Sequence, residues 1–250
     1  MIKSLSVFSF LFIWFSFWGI TKAQDTIPFR SAEDLWVDSV MNEMNMDEKI
    51  GQLFMVAAYS NKDQQHIDEI KYIIKKYKIG GLIFFQGGPE RQAKLTNIYQ
   101  SVSDIPLLIA IDGEWGLGMR LDSTISYPRQ MMLGAIQDDS LIYRMGKDIA
   151  EQMKRLGIQI NFAPVVDVNN NPLNPVINVR SFGENRENVS RKSIAYMKGM
   201  QDGGIIGTAK HFPGHGDTDS DSHHTLPSVN HERLRLDSIE LYPFKQIFDA

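Results

Sequence analysis

From Asn45 onward the chain alternates short apolar runs with longer stretches whose apolar residues recur every three or four positions. Before that, Trp36, Val40 and Met44 at i, i+4 and i+8 predict a first helix. A second begins at Asn45, where Glu48 completes a capping box. Gln52 to Ala58 reads as a buried strand, Ile67 to Tyr77 as a helix and Gly80 to Phe85 as a second strand. Pro89 opens a helix carrying Leu95, Ile98, Tyr99 and Val102, and Pro106 to Ile111 is a third strand ending at Asp112. Asp139 or Ser140 caps a helix through Ile142, Met145, Ile149 and Met153 that stops at Gly157. Ile158 to Val166 follows as a fourth strand, Val189 to Met200 as a helix ending near Gly203, and Ile205 to Ala209 as a fifth strand.

Strands that are apolar on both faces and separated by helices predict an α/β fold with a parallel sheet and helices outside it. A closed (β/α)8 barrel needs eight such strands in roughly 250 residues. Five are visible, and Leu234 to Ala250 reads as a further helix, so the expectation is a domain that continues past the end of the chain.

Residues 1–23 break the pattern. Lys3 gives a positive start, Leu5 to Ile20 is mostly apolar and aromatic, and Thr21-Lys22-Ala23 resembles a small-residue cleavage site before Gln24. The apolar run is short for a membrane span and holds three serines and a glycine. It is therefore read as a secretory signal peptide, leaving 24–250 as an exported domain, periplasmic or extracellular, with no stable span after cleavage. Losing Lys3 and Lys22 and no acids moves the formal net charge from −4 to −6, which disfavours a nucleic-acid partner. The chain has no cysteine, which excludes thiolate chemistry and disulfides and leaves stability to packing.

Chemistry concentrates after the fifth strand, where Lys210 to His224 reads KHFPGHGDTDSDSHH. In a parallel α/β sheet or barrel, the loops leaving strand C-terminal ends build the active site. Three further clusters lie at such ends: Asp112 to Arg120, Asp167 with Asn169, Asn170 and Asn171, and Arg180 to Glu184. Carboxylate, arginine and lysine together grip a polyhydroxylated ligand through directional, charge-assisted hydrogen bonds, and Trp115 offers an apolar face to a sugar ring. Singly, an Asp at a strand end is often a helix cap and an Arg often half of a surface ion pair.

The histidine-rich loop admits two chemical readings besides plain loop polarity. In one, His211, His215, Asp217, Asp219, Asp221, His223 and His224 supply metal ligands. A calcium loop fails, because Ser222 stands where its turn Gly belongs and Ser228 where its closing Glu belongs. In the other, Asp221 accepts a hydrogen bond from His223, fixing its tautomer and stabilising its charged form as an acid/base dyad.

Lys210 to His223, with Asp112 to Arg120, Asn161 to Asn178 and Arg180-Ser181-Phe182-Gly183, resembles the bacterial β-N-acetylglucosaminidases of glycoside hydrolase family 3. The resemblance covers essentially 31–250. It implies a TIM-like (β/α)8 barrel, present as its first five or so units. It implies His223 as general acid/base with Asp221 as its orienting partner. Asp112, Arg120, Arg180, Lys210 and His211 fall on positions that bind the terminal N-acetylglucosamine. The family's nucleophile, an Asp after a later strand, would lie beyond Ala250. His215, Asp217, Asp219 and His224 are then loop-shaping hydrogen bonders, His224 facing solvent. The implied reaction is retaining hydrolysis of muropeptides or related oligosaccharides ending in β-linked N-acetylglucosamine, with no cofactor and no metal. The rivals are a metal-dependent hydrolase and a non-catalytic sugar-binding protein.

Overall fold

A computed structural model describes residues 32–219 and 227–250. The signal-peptide reading of 1–23 and the residues Asp221, His223 and His224 lie outside the described residues. The described residues Ala32 to Met44 belong to a unit of their own, in which α1 (Ala32–Glu43) ends with Met44 N–H donating to Val40 C=O. Among the described residues no helix is long and apolar enough to cross a membrane.

The second unit, Asn45–Ala250, opens with α2 (Met46–Gly51). Its capping box is reciprocal: Glu48 N–H donates to the Asn45 side chain and Asn45 N–H to the Glu48 carboxylate, each at 3.0 Å. Then β1 (Met55–Ala58), α3 (Gln64–Tyr77), β2 (Gly81–Phe84), α4 (Pro89–Val102) and β3 (Leu108–Ile111) alternate. After β3 come a 3-10 turn at Leu117–Met119, the short α5 (Gln130–Gly134) and the long α6 (Asp139–Arg155). β4 (Ile160–Asn161), a 3-10 turn at Asn178–Arg180, α7 (Arg186–Asp202), β5 (Ile206–Gly207), α8 (Arg233–Ser238) and α9 (Tyr242–Phe248) complete the order.

The five strands are parallel and pair in chain order, β1-β2-β3-β4-β5. An order that never reverses is the progression of a barrel wall, whereas a doubly wound sheet switches direction partway. Each α6 position that the periodicity assigned to the core, Ile142, Met145, Ile149 and Met153, is buried. α6 packs on α7 with near backbone contact, since a Cβ at Gly199 would lie 2.1 Å from Tyr143 O. Apolar grooves flank both outer strands: Ile50, Phe54, Val56 and Tyr77 line one of about 760 Å³ beside β1, and Met197, Phe212, Phe244 and Phe248 one of about 720 Å³ beside β5.

Several boundaries differ from the sequence expectation. Gln52 to Phe54 turn rather than extend, because Leu53 and Phe54 N–H donate back to Ile50 and Gly51 C=O. The α6 cap is Asp138, one residue earlier than expected, its carboxylate accepting from Ser140 N–H at 2.9 Å. β4 is shorter than Ile158–Val166: Pro164 has no N–H to give, and Gln130 takes both backbone groups of Val165. The chain nonetheless stays alongside β5's continuation, with Thr208 N–H donating to Ala163 C=O and Val166 N–H to Lys210 C=O. Leu234–Ala250 is two helices, α8 and α9, with Pro243 in the first turn of the second.

Candidate active site

The site lies where β3, β4 and β5 end. Asp112 directly follows β3, and the Gly113 peptide after it is held in both directions. Gly113 N–H donates to Asn161 Oδ1 at 2.9 Å and Asn161 Nδ2 to Gly113 C=O at 3.2 Å. The buried Tyr196 hydroxyl, from α7, donates to Gly113 and Glu114 C=O. Burial drives the Tyr196 phenol upward, which keeps it a proton donor. Asn161 and Tyr196 thus clamp the loop that carries the first acids of the site.

Asp112 takes two cations. Lys210 Nζ reaches its Oδ1 at 2.5 Å; Arg120 NH2 reaches its Oδ2 at 2.5 Å, while Arg120 Nε donates to its carbonyl. The Arg120 guanidinium also stands over the Phe85 ring, 4.8 Å from the centroid. Glu114 takes Arg180 through Nε at 3.0 Å and NH2 at 2.7 Å, and shares Lys210 at 2.7 Å. Burial pushes the Glu114 carboxyl up, but the Arg180 hydrogen bonds and the Lys210 and Arg180 charges outweigh it and hold it at about 2. Arg180 is raised against its own desolvation by the same carboxylate.

Asp167, fully buried, organises the start of the loop after β5. Its carboxylate accepts from His215 N–H at 2.7 Å, from His211 N–H at 3.2 Å and from His211 Nδ1 at 2.7 Å. The His211 Nε2 faces Arg180 NH2 at 3.2 Å. An arginine only donates, so Nε2 is the acceptor and Nδ1 carries the proton. Farther along, Asn174 Nδ2 donates to His215 C=O at 2.7 Å, its Oδ1 accepts from Val176 and Ile177 N–H, and Asn171 Nδ2 donates to Thr218 C=O. A Cβ at Gly216 would fall 1.8 Å from Val168 O, so only glycine lets these two loops lie together.

Asp112, Arg120, Arg180 and the adjacent pair Lys210-His211, predicted from separate stretches of the sequence, therefore converge in one cluster. Asp112, Arg120, Arg180 and Lys210 keep 14–18% of their side chains exposed, enough to meet a ligand, while Glu114 and Asp167 are at 0%. Trp115 does not offer both faces: the Arg129 guanidinium covers one at 3.6 Å from the centroid. Asn170 and Asn171 bind Glu240 and Thr218, shaping the loops. Asn161, Tyr196 and Glu114 were not singled out in the sequence; Asn161 leaves a trace there as a polar residue inside an apolar run.

Among the described residues, three members of the possible metal-ligand set take other partners. His211 and His215 turn to Asp167 and Thr218, and Asp217 pairs with His231 and Arg235. Among the described residues, Asp217, His231 and Glu240 bring ligand atoms within 4.8 Å of one another. Arg235 already bridges Asp217 at 3.3 Å and Glu240 at 3.2 Å, supplying the positive charge a metal would bring. His215 and Asp217 thus act as loop-shaping hydrogen bonders.

Residues 45–250 match the glycosyl hydrolase family 3 N terminal domain, and the chain belongs to that family. Beta-hexosaminidase A of Pseudoalteromonas piscicida is 42% identical over 195 residues, 73% of this chain and 33% of that protein. A beta-N-acetylglucosaminidase/beta-glucosidase of Cellulomonas fimi is 32% identical, over 81% of this chain and 36% of its own. The chain spans about a third of the length of these curated relatives. Among solved structures, a glycoside hydrolase family 3 beta-N-acetylglucosaminidase from Paenibacillus sp. str. FPU-7 superposes with a TM-score of 0.75 at 40% identity, covering 82% of this chain and 40% of that one. The five β/α units are the corresponding part of a TIM-like barrel.

Proposed function

We propose that the protein is a retaining glycosidase that removes terminal β-linked N-acetylglucosamine, acting after export on cell-wall muropeptides or related oligosaccharides. The observation that carries this reading is the convergence of Asp112, Arg120, Arg180, Lys210 and His211 at the strand C-terminal ends, beside the start of the loop that runs on to Asp221 and His223. The names of the relatives at 42% and 40% identity support the sugar.

In this reading Asp112 accepts from sugar hydroxyls, while Arg120, Arg180 and Lys210 donate from edges not used on their carboxylate partners. His211 presents a fixed tautomer beside them. His223 protonates the leaving oxygen and then deprotonates the attacking water, and Asp221 orients it and stabilises the imidazolium. A histidine, with a reference pKa near ~6.5, supplies both protonation states around neutrality, a task usually given to a carboxylic acid with a raised pKa. The nucleophile in this reading is an Asp on a loop after a later barrel strand, which attacks the anomeric carbon to give a glycosyl-enzyme.

The test is hydrolysis of fluorogenic β-N-acetylglucosaminide and β-glucoside by the full-length protein, with and without a chelator. Turnover of the first, weak turnover of the second and no effect of chelation are expected. Loss of activity on chelation would favour a metal-dependent hydrolase, and binding without turnover a non-catalytic sugar-binding protein.

A further inference from the structure

We propose that Glu114 is a positioning residue of the substrate pocket, a buried carboxylate that aims Arg180 and Lys210 at the sugar without touching it. The proposal rests on the reading above that those two cations contact N-acetylglucosamine. Glu114 has no exposed surface, and both its oxygens are used by the two cations, so it offers nothing to a ligand. Its carboxylate joins three chain segments: the loop after β3 that it belongs to, the 3-10 turn at Asn178–Arg180 and the end of β5. The backbone it hangs from is itself pinned by Tyr196, and its N–H faces Met119 Sδ at 3.4 Å.

The charges explain why an acid is needed there. Asp112, Glu114 and Asp167 face Arg120, Arg180 and Lys210, three against three. Without the Glu114 charge, Arg180 and Lys210 keep a shared neighbour but lose the anion between them, and like charges at that distance in a poorly solvated site push apart. The bidentate grip also fixes the guanidinium plane, leaving Arg180 NH2 aimed at His211 and NH1 at Val176 C=O. A neutral side chain of the same shape cannot hold that arrangement, because its amide would present a donor to one of the two cations.

Glu114→Gln in the full-length protein tests this through N-acetylglucosamine affinity by calorimetry and through KM and kcat on an aryl N-acetylglucosaminide. Affinity is expected to fall by about tenfold or more, KM to rise by a similar factor and kcat to change less, since the acid/base group is elsewhere. Combined with Arg180→Ala, the Gln change should add less than about threefold. A folded Glu114→Gln protein with wild-type affinity, or losses that multiply in the double variant, would overturn the proposal. If Glu114→Gln does not fold, Glu114→Asp decides: the shorter carboxylate keeps the charge but cannot span both cations, and unchanged affinity overturns the proposal. Arg180→Ala and Lys210→Ala weakening the sugar while the Glu114 variants do not would sink positioning alone. Wild-type affinity in all of them would sink the pocket reading as well.

Discussion

Lys210 Nζ meets Asp112 Oδ1 at 2.5 Å across 98 positions of sequence, tying the loop after β3 to the end of β5. Neither residue is spare for a generic surface ion pair: each is largely buried, and Lys210 is shared with Glu114. The pair holds an acceptor and a donor side by side at the mouth of the strands, the arrangement that the proposed reading turns toward a sugar's vicinal hydroxyls.

Removing a donor should therefore weaken sugar binding. Arg120→Ala and Lys210→Ala are each expected to lower N-acetylglucosamine affinity about 10- to 100-fold, the size of a hydrogen bond to a charged group. Calorimetric titration reads this directly; unchanged affinity in both variants would move the pocket elsewhere.

Asp221→Asn should preserve the loop's shape yet slow turnover by about 10²–10⁴-fold, because an amide neither stabilises an imidazolium nor enforces one tautomer. Combined with His223→Ala, its effect should largely vanish. A double variant slower by the product of the single losses would mean that the two residues do not act as a unit.

Glu114 makes stability depend on acid pH. Its folded-state carboxyl sits at about 2 against an ordinary value of 4.5. The stabilisation is thus complete above about pH 4.5 and lost as pH falls from there toward 2, amounting to about 3 kcal/mol at neutrality. Urea midpoints taken from pH 7 to pH 3 should fall in this window for wild type and fall less for Glu114→Gln. Parallel curves for the two proteins would assign the acid sensitivity to other groups.

Gln130→Ala should destabilise the fold by about 2–4 kcal/mol, since it strands both the N–H and the C=O of buried Val165. Urea denaturation measures it; a loss under about 0.5 kcal/mol would show that other groups take over those bonds.

The architecture was legible because its determinants are local. Apolar runs such as Leu107 to Ile111 stand out against helices like α6, whose buried positions follow one period. Strand ends were not legible, because they depend on distant partners: Gln130, 35 residues from Val165, takes the groups that would have continued β4. The same limit applies to the site. Asp112, Arg120, Arg180, Lys210 and His211 carry a recognisable pattern, but nothing in the sequence says which anion faces which cation. Glu114 lies inside the Asp112 to Arg120 segment with nothing local to mark it, since only the fold brings Arg180, 66 positions away, onto it. Asp167 shows its role only in the fold, where the loop after β5 folds back on its carboxylate.

In the proposed mechanism His223 supplies the proton to the leaving group, and a comparison of His223→Ala with wild type on two substrates isolates that role. A natural oligosaccharide has a poor leaving group that needs a proton, whereas an aryl glycoside with an acidic phenol leaves without one. The variant is expected to lose far more activity on the oligosaccharide, by at least about 10²-fold, than on the aryl glycoside. Equal losses on both substrates would contradict it and remove His223 from the acid role.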